Sequence, residues 1–245
     1  MGGSEPCGHF RLAGSTQRLG IAFTLAAAAT ACGGGAAQPA IATTLGPTPS
    51  ASPASPTPSG SLPPGALRVT VAAGSSATVR VRELLAANTI QTDAVLTTSS
   101  VSGAATLLAD GVFSSDSRIV VDVRTLRSDE ALRDKWVELF GLRSGTWPDA
   151  EFVPTTAGAL PHPLPVNGEW SFVLVGRLRI RDVTRETSWQ VTATRHADAL
   201  VALATTVVHW ADFGLPKPQA AVTQVVSVTD DIRIEMRLSA TVRGG

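Results

Sequence analysis

Tyrosine is missing from these 245 residues, cysteine occurs twice and histidine four times, and no apolar run is long enough to cross a bilayer. Each shortage closes a class of function. Both cysteines, Cys7 and Cys32, lie near the N-terminus, so no disulfide framework can staple the rest of the chain. His9, His162, His196 and His209 stand apart from one another and from cysteine at spacings no metal site uses, so no metal is expected. G-x-S-x-G, the Walker loop, G-x-G-x-x-G and H-E-x-x-H are all absent, and with them the usual signatures of hydrolase, nucleotide and metalloprotease chemistry. Basic and acidic residues balance at twenty each, so no charge excess points to nucleic acid. Neither an enzyme nor a bound cofactor is expected.

What is present divides the chain in three. Arg11 and Arg18 precede an uncharged, mostly apolar run over residues 19–31, the layout of a secretory signal. Ala29-Thr30-Ala31-Cys32-Gly33-Gly34 resembles a bacterial lipoprotein processing site, which implies a signal peptide over 1–31, acylation of Cys32 and attachment to the extracytoplasmic face of a membrane, facing the periplasm or the cell exterior. Two or three acyl chains at ~0.8 kcal/mol per buried CH₂ anchor effectively irreversibly. A Cys7–Cys32 disulfide is the alternative, and removal of residues 1–31 would leave it without a partner. Residues 32–66 then form a tether of Gly, Ala, Ser, Thr and Pro, holding eight of the sixteen prolines and no charged side chain. Such a tract cannot bury a core; it either spans an envelope layer or serves as a neutral spacer.

Residues 67–245 read as one domain, and the period there is two. Leu67, Val69 and Val71 alternate with polar or small residues, as do Val79 and Val81 with Thr78, Arg80 and Arg82. Residues 84–100 are ambiguous, with a helical turn over 83–87 and a turn near Asn88 as one reading. Asp110-Gly111 marks a hairpin joining a strand at 101–108 to one at 117–126. Later, Trp170, Phe172, Leu174, Leu178 and Ile180 share one face, Trp189 and Val191 another, and Ile232, Ile234, Met236, Leu238, Ala240 and Val242 alternate with charged or hydroxyl residues. About eight strands joined by hairpins predict an all-β antiparallel sandwich or closed barrel. The one helix begins with Ser128 as N-cap and carries Leu132, Trp136 and Leu139 on a single face, which either closes a barrel end or covers strand surface.

Ser128-Asp129, Arg133-Asp134, the stretch Trp147-Pro148-Asp149-Ala150-Glu151-Phe152, the run GRLRIRDVTR from Gly176 to Arg185 and Asp212-Phe213-Gly214 together resemble the YceI-like lipid-binding family over residues 67–242. The resemblance implies a lipocalin-like antiparallel β-barrel that holds a long isoprenoid or similar lipid, one per barrel. Val121, Phe152, Phe172, Leu174, Trp189, Ile234 and Met236 are then the expected lining residues. A chain of ~20 buried carbons gains ~16 kcal/mol gross, against an association cost of about 4 to 15 kcal/mol, so tight binding requires no charged anchor. The same residues would serve a side-chain-filled barrel, the core of an envelope protein that acts through its loops. His209 and Asp212 either approach each other as a catalytic pair or mark a rim histidine beside a structural turn. Arg133 and Asp134, neighbours on a helix and so unable to face each other, are each expected to pair with a separate strand or loop group, or to meet a ligand head group.

Overall fold

A computed structural model describes residues 61–87, 89–218 and 225–245. The apolar run at 19–31, Cys32, the tether as far as residue 60 and the turn residue Asn88 lie outside the described residues. Ten antiparallel strands follow one another: β1 Leu67–Val71, β2 Ser76–Leu85, β3 Thr92–Thr98, β4 Val101–Leu107, β5 Arg118–Asp122, β6 Asp149–Gly158, β7 Asn167–Ile180, β8 Val183–His196, β9 Ala199–His209 and β10 Val225–Gly244. A helix, α1, spans Ala131–Trp136 between β5 and β6.

The ten strands make eight staves. β10 pairs along one edge with β9, and along the other with β1 near its C-terminal end (Val71↔Ala240) and with β2 further back (Ser76↔Arg237). Since β1 also pairs with β4, and β2 with β3, β1 and β2 are two lengths of one stave and β3 and β4 of the next, and the sheet closes on itself. This is the eight-stranded antiparallel barrel with one short helix that the alternation and the resemblance imply.

The break between β1 and β2 is repaired by a side chain. Gly74 takes a left-handed φ of 91°, which lifts the backbone off β10. Ser75 fills the gap: it is 2% exposed, its hydroxyl accepts from the Ser239 N–H at 3.0 Å and lies 2.9 and 3.1 Å from the carbonyls of Ala72 and Ser239. Buried backbone groups that the interrupted ladder would strand are thereby satisfied.

Local chemistry moves three expected boundaries. The strand expected over 117–126 stops at Asp122, whose side chain accepts from the Arg124 N–H at 3.0 Å and whose carbonyl accepts from the Thr125 hydroxyl at 2.7 Å, starting a tight turn over Val123–Thr125. Residues 83–85 continue β2 rather than turning helically. The helix is capped by Glu130, which accepts from the Leu132 N–H at 3.2 Å, not by Ser128, whose N–H and hydroxyl both donate to Asp134 (2.8 and 2.7 Å). The apolar face expected of Leu132, Trp136 and Leu139 does not form either. α1 is six residues long, with Leu132 exposed on it, and passes into a wider π turn at Val137–Gly141, which rotates Leu139 away from Trp136 and leaves it exposed as well.

Trp136 alone of that trio packs against the main core, at the barrel end made by the last residues of β2 and the first of β3, where it lines an open pocket with Glu83 and Arg133. Arg133 fixes it there, donating to Glu83 on β2 at 2.5 Å and to Asp129 at 2.6 Å. Burial alone would lower the Arg133 guanidinium, but hydrogen bonds to Asp129 and then Glu83 outweigh it and push the group up, while the same contact with Arg133 holds Asp129 below the usual carboxylate range. Arg133 and Asp134 therefore serve separate partners, as their helical spacing requires.

Two outcomes are expected in urea unfolding. Ser75→Ala strands buried backbone groups of β10 and lowers stability by about 1 to 3 kcal/mol. Arg133→Ala leaves the Glu83 carboxylate buried without a cation and costs about 3 kcal/mol, and Glu83→Met with Arg133→Met recovers most of that loss; a double variant no more stable than the single one would count against the ion pair as the reason.

Candidate functional site

The barrel interior is apolar and it is not filled. Inward positions on the strands carry alanine where leucine or phenylalanine would close the space: Ala105 on β4, Ala193 on β8, Ala202 and Ala204 on β9 and Ala240 on β10. Together with larger neighbours they surround a cavity of about 150 Å³. Close-packed interiors hold few voids larger than a water molecule, so this is a cavity built by sequence and not a packing defect. β9 reads as apolar throughout because Val201, Leu203 and Val207 stand exposed on its outer face while the alanines and Val208 turn inward.

Every lining residue expected from sequence faces this interior. Phe172 and Leu174, on β7, line the chamber nearer the β8–β9 turn. Val121 on β5 and Ile234 on β10 line a second, deeper chamber of about 90 Å³ beneath it. Phe152, Trp189 and Met236 border both. Phe152 and Trp189 meet edge to face with ring centroids 5.5 Å apart, and so form the wall between the chambers. The indole N–H of Trp189 donates to the Thr187 hydroxyl at 3.1 Å, leaving the ring without an unmet polar demand in an apolar space.

The motif glycine Gly176 explains the position of that wall. A Cβ there would lie 2.5 Å from Phe152 Cζ and 2.5 Å from the Val153 carbonyl, so only glycine lets the ring of Phe152 lie flat across β7. Thr155 bulges from β6 just beyond, its hydroxyl donating to the Val175 carbonyl at 3.0 Å.

At the mouth, the β4–β5 and β6–β7 connections contribute Phe113, Leu160 and Leu164, and His162 meets the Ala109 carbonyl across them at 2.5 Å. These loop residues carry no alternation, and periodicity does not find them. The inward alanines are a signal that does stand in the sequence: small residues at every second position of facing strands.

His209 and Asp212 do come together, Nδ1 to Oδ2 at 3.2 Å, at the opposite end of the barrel and outside the cavity. The histidine's other nitrogen lies 3.3 Å from Asp231, and Asp212 accepts from the His209 N–H at 2.8 Å. Phe213, 1% exposed, plugs that end, Gly214 turns at φ 58°, and Arg185 donates to the Asp212 carbonyl at 2.9 Å. Asp-Phe-Gly is thus a corner joining β9 to the core. Trp147 lies between Arg143 and Arg181, each guanidinium 4.9 Å from its ring, and Pro148 leads the chain from there into β6. Among the described residues no group of three His, Cys, Asp or Glu side chains is placed to hold a metal ion.

The barrel is similar to a polyisoprenoid binding domain from Saccharophagus degradans implicated in plant cell wall breakdown, with 11% identity and a TM-score of 0.57 over 71% of this chain and 98% of that one. It is also similar to BcnA of Burkholderia cenocepacia, with 17% identity and a TM-score of 0.51 over 68% and 96%. At such identities the likeness speaks for the fold. No curated protein sequence matches the chain. The model of the YceI-like domain matches residues 69–240, well over half of the sequence and nearly the whole span of the barrel, and the chain belongs to that family.

Proposed function

We propose that this protein binds the hydrocarbon chain of a long lipid, isoprenoid or fatty, inside the barrel, and that it carries or sequesters that lipid from a membrane anchor at Cys32 outside the cytoplasm. The observation that carries the reading is the apolar, unfilled interior, in which alanines hold open a space that ordinary core residues would close. A structural neighbour described as a polyisoprenoid binding domain supports it. Burial of CH₂ groups supplies the affinity at ~0.8 kcal/mol each, so chain length is the main variable. The cavity counts against the alternative of a filled barrel acting only through its loops. We read the His209 and Asp212 pair as structural and the protein as a binder, not an enzyme, because both histidine nitrogens face carboxylates and the pair lies away from the cavity.

The five tryptophans are the reporters, with Trp170 and Trp189 in the cavity wall. Titrating the delipidated protein with a long isoprenoid is expected to shift tryptophan emission saturably near one equivalent, and a short alcohol with the same head group is not. Leu174→Arg, which puts a charge into the cavity, weakens binding far more than Arg179→Ala on the outer face, where the side chain pairs with Glu151 at 3.7 Å. Failure of every long-chain lipid to bind would restore the filled-barrel reading. For the anchor, Cys32→Ser is expected to move the protein from the membrane fraction to the soluble one; a wild-type chain that is soluble with Met1 intact would remove it from the proposal.

A further inference from the structure

One buried charge in the barrel lacks a counter-ion. Arg195 is 5% exposed, and its β8 position puts it on the inner face, two residues beyond Ala193 and four beyond Val191, both of which line the cavity. Its ladder partners are Gly168 on β7 and Leu200 on β9, which places it at the mouth. Nε donates to the Ala197 carbonyl at 2.8 Å, and Nη1 lies 3.3 and 3.5 Å from the carbonyls of Pro165 and Leu164, in the β6–β7 connection whose Leu164 side chain forms part of the cavity wall. Nη2 has no acceptor and no carboxylate pairs with the guanidinium among the described residues, yet Nη2 is not sealed from solvent-accessible space.

The opposite end of the barrel shows what burial normally demands. There Glu83, 4% exposed, is matched by Arg133. A buried charge left to neutral dipoles is costly, and an arginine fork with free N–H groups is a donor built for carboxylate or phosphate oxygens. The cavity lining is itself apolar and Arg195 stands just beyond it at the mouth, so an amphiphile whose tail lies in the cavity brings its head group toward that cation.

Resting on the lipid-binding reading above, we infer that Arg195 selects lipids with an anionic head, a carboxylate or a phosphate, over neutral ones of equal chain length. Nη2 donates to the head-group oxygen while Nε and Nη1 keep the mouth loop in place. The delipidated full chain is titrated, below the micelle threshold, with hexadecanoate, hexadecyl phosphate and hexadecanol, following tryptophan emission. The anions are expected to bind about tenfold to a hundredfold more tightly than the alcohol, the range of a charge-assisted hydrogen bond, with the tighter of the two identifying the head group. Arg195→Met erases that difference and leaves hexadecanol within about twofold of wild type. Arg195→Gln, which keeps donors for the same carbonyls without the charge, provides the same comparison if the methionine variant does not fold. Equal binding of anions and alcohol by wild type overturns the inference. So does a variant that retains the preference, or one that weakens all three ligands alike, because Arg195 is then only a clamp for the loop. Binding of none of the three overturns the lipid reading itself.

Discussion

One long strand holds this barrel shut. β10 runs for twenty residues, and because it is longer than any partner it needs two strands, β1 and β2, to satisfy its outer edge. The hydrogen bonds of those two short strands are what turn an open ten-stranded sheet into a closed barrel with no free edge between β10 and its first stave. The cost is a gap in the first stave at Gly74, and the Ser75 hydroxyl covers it. Closure then makes the interior a single enclosed surface whose content is decided by side-chain size.

The interior's emptiness and the placement of its charges are one arrangement. The alanines on β8, β9 and β10 open the space, while the tied pair of Glu83 and Arg133 and the indole of Trp136 stand at the far end. At the mouth, the β6–β7 connection sets Leu160 and Leu164 over the cavity. A hydrocarbon chain there would replace water at an apolar wall, the interaction from which such a site draws its affinity.

Much of this could be read from residue order. Alternation of period two located β7, β8 and β10 because each has one apolar face toward the cavity and another carrying charge or hydroxyl groups, as with Ile234 and Met236 against Arg233, Glu235 and Arg237. The seven residues expected to line the barrel, Phe152 among them from the resemblance alone, stand against the interior. Residue order misled where a local side chain or turn decides the backbone: Asp122 ends β5 early, Glu130 displaces Ser128 as cap, and a π turn swings Leu139 outward. Hollowness was not legible from the large residues, since Phe172 or Leu174 looks the same beside a void as in a packed core; the inward alanines record it. Arg195 was passed over because an arginine at a strand end reads as solvated, and only the fold of the β6–β7 connection over it shows otherwise.

Gly176 gives the interior a depth gauge. With no Cβ at Gly176 on β7, the ring of Phe152 that divides the two chambers comes up against the backbone itself. The two rings are the floor of the upper chamber. A tail short enough to end above Phe152 and Trp189 meets that floor without disturbing it, whereas a longer one must fold back on itself or displace Phe152 against the Trp189 ring. The absence of a single methyl group in one strand thus sets a length scale for whatever occupies the barrel.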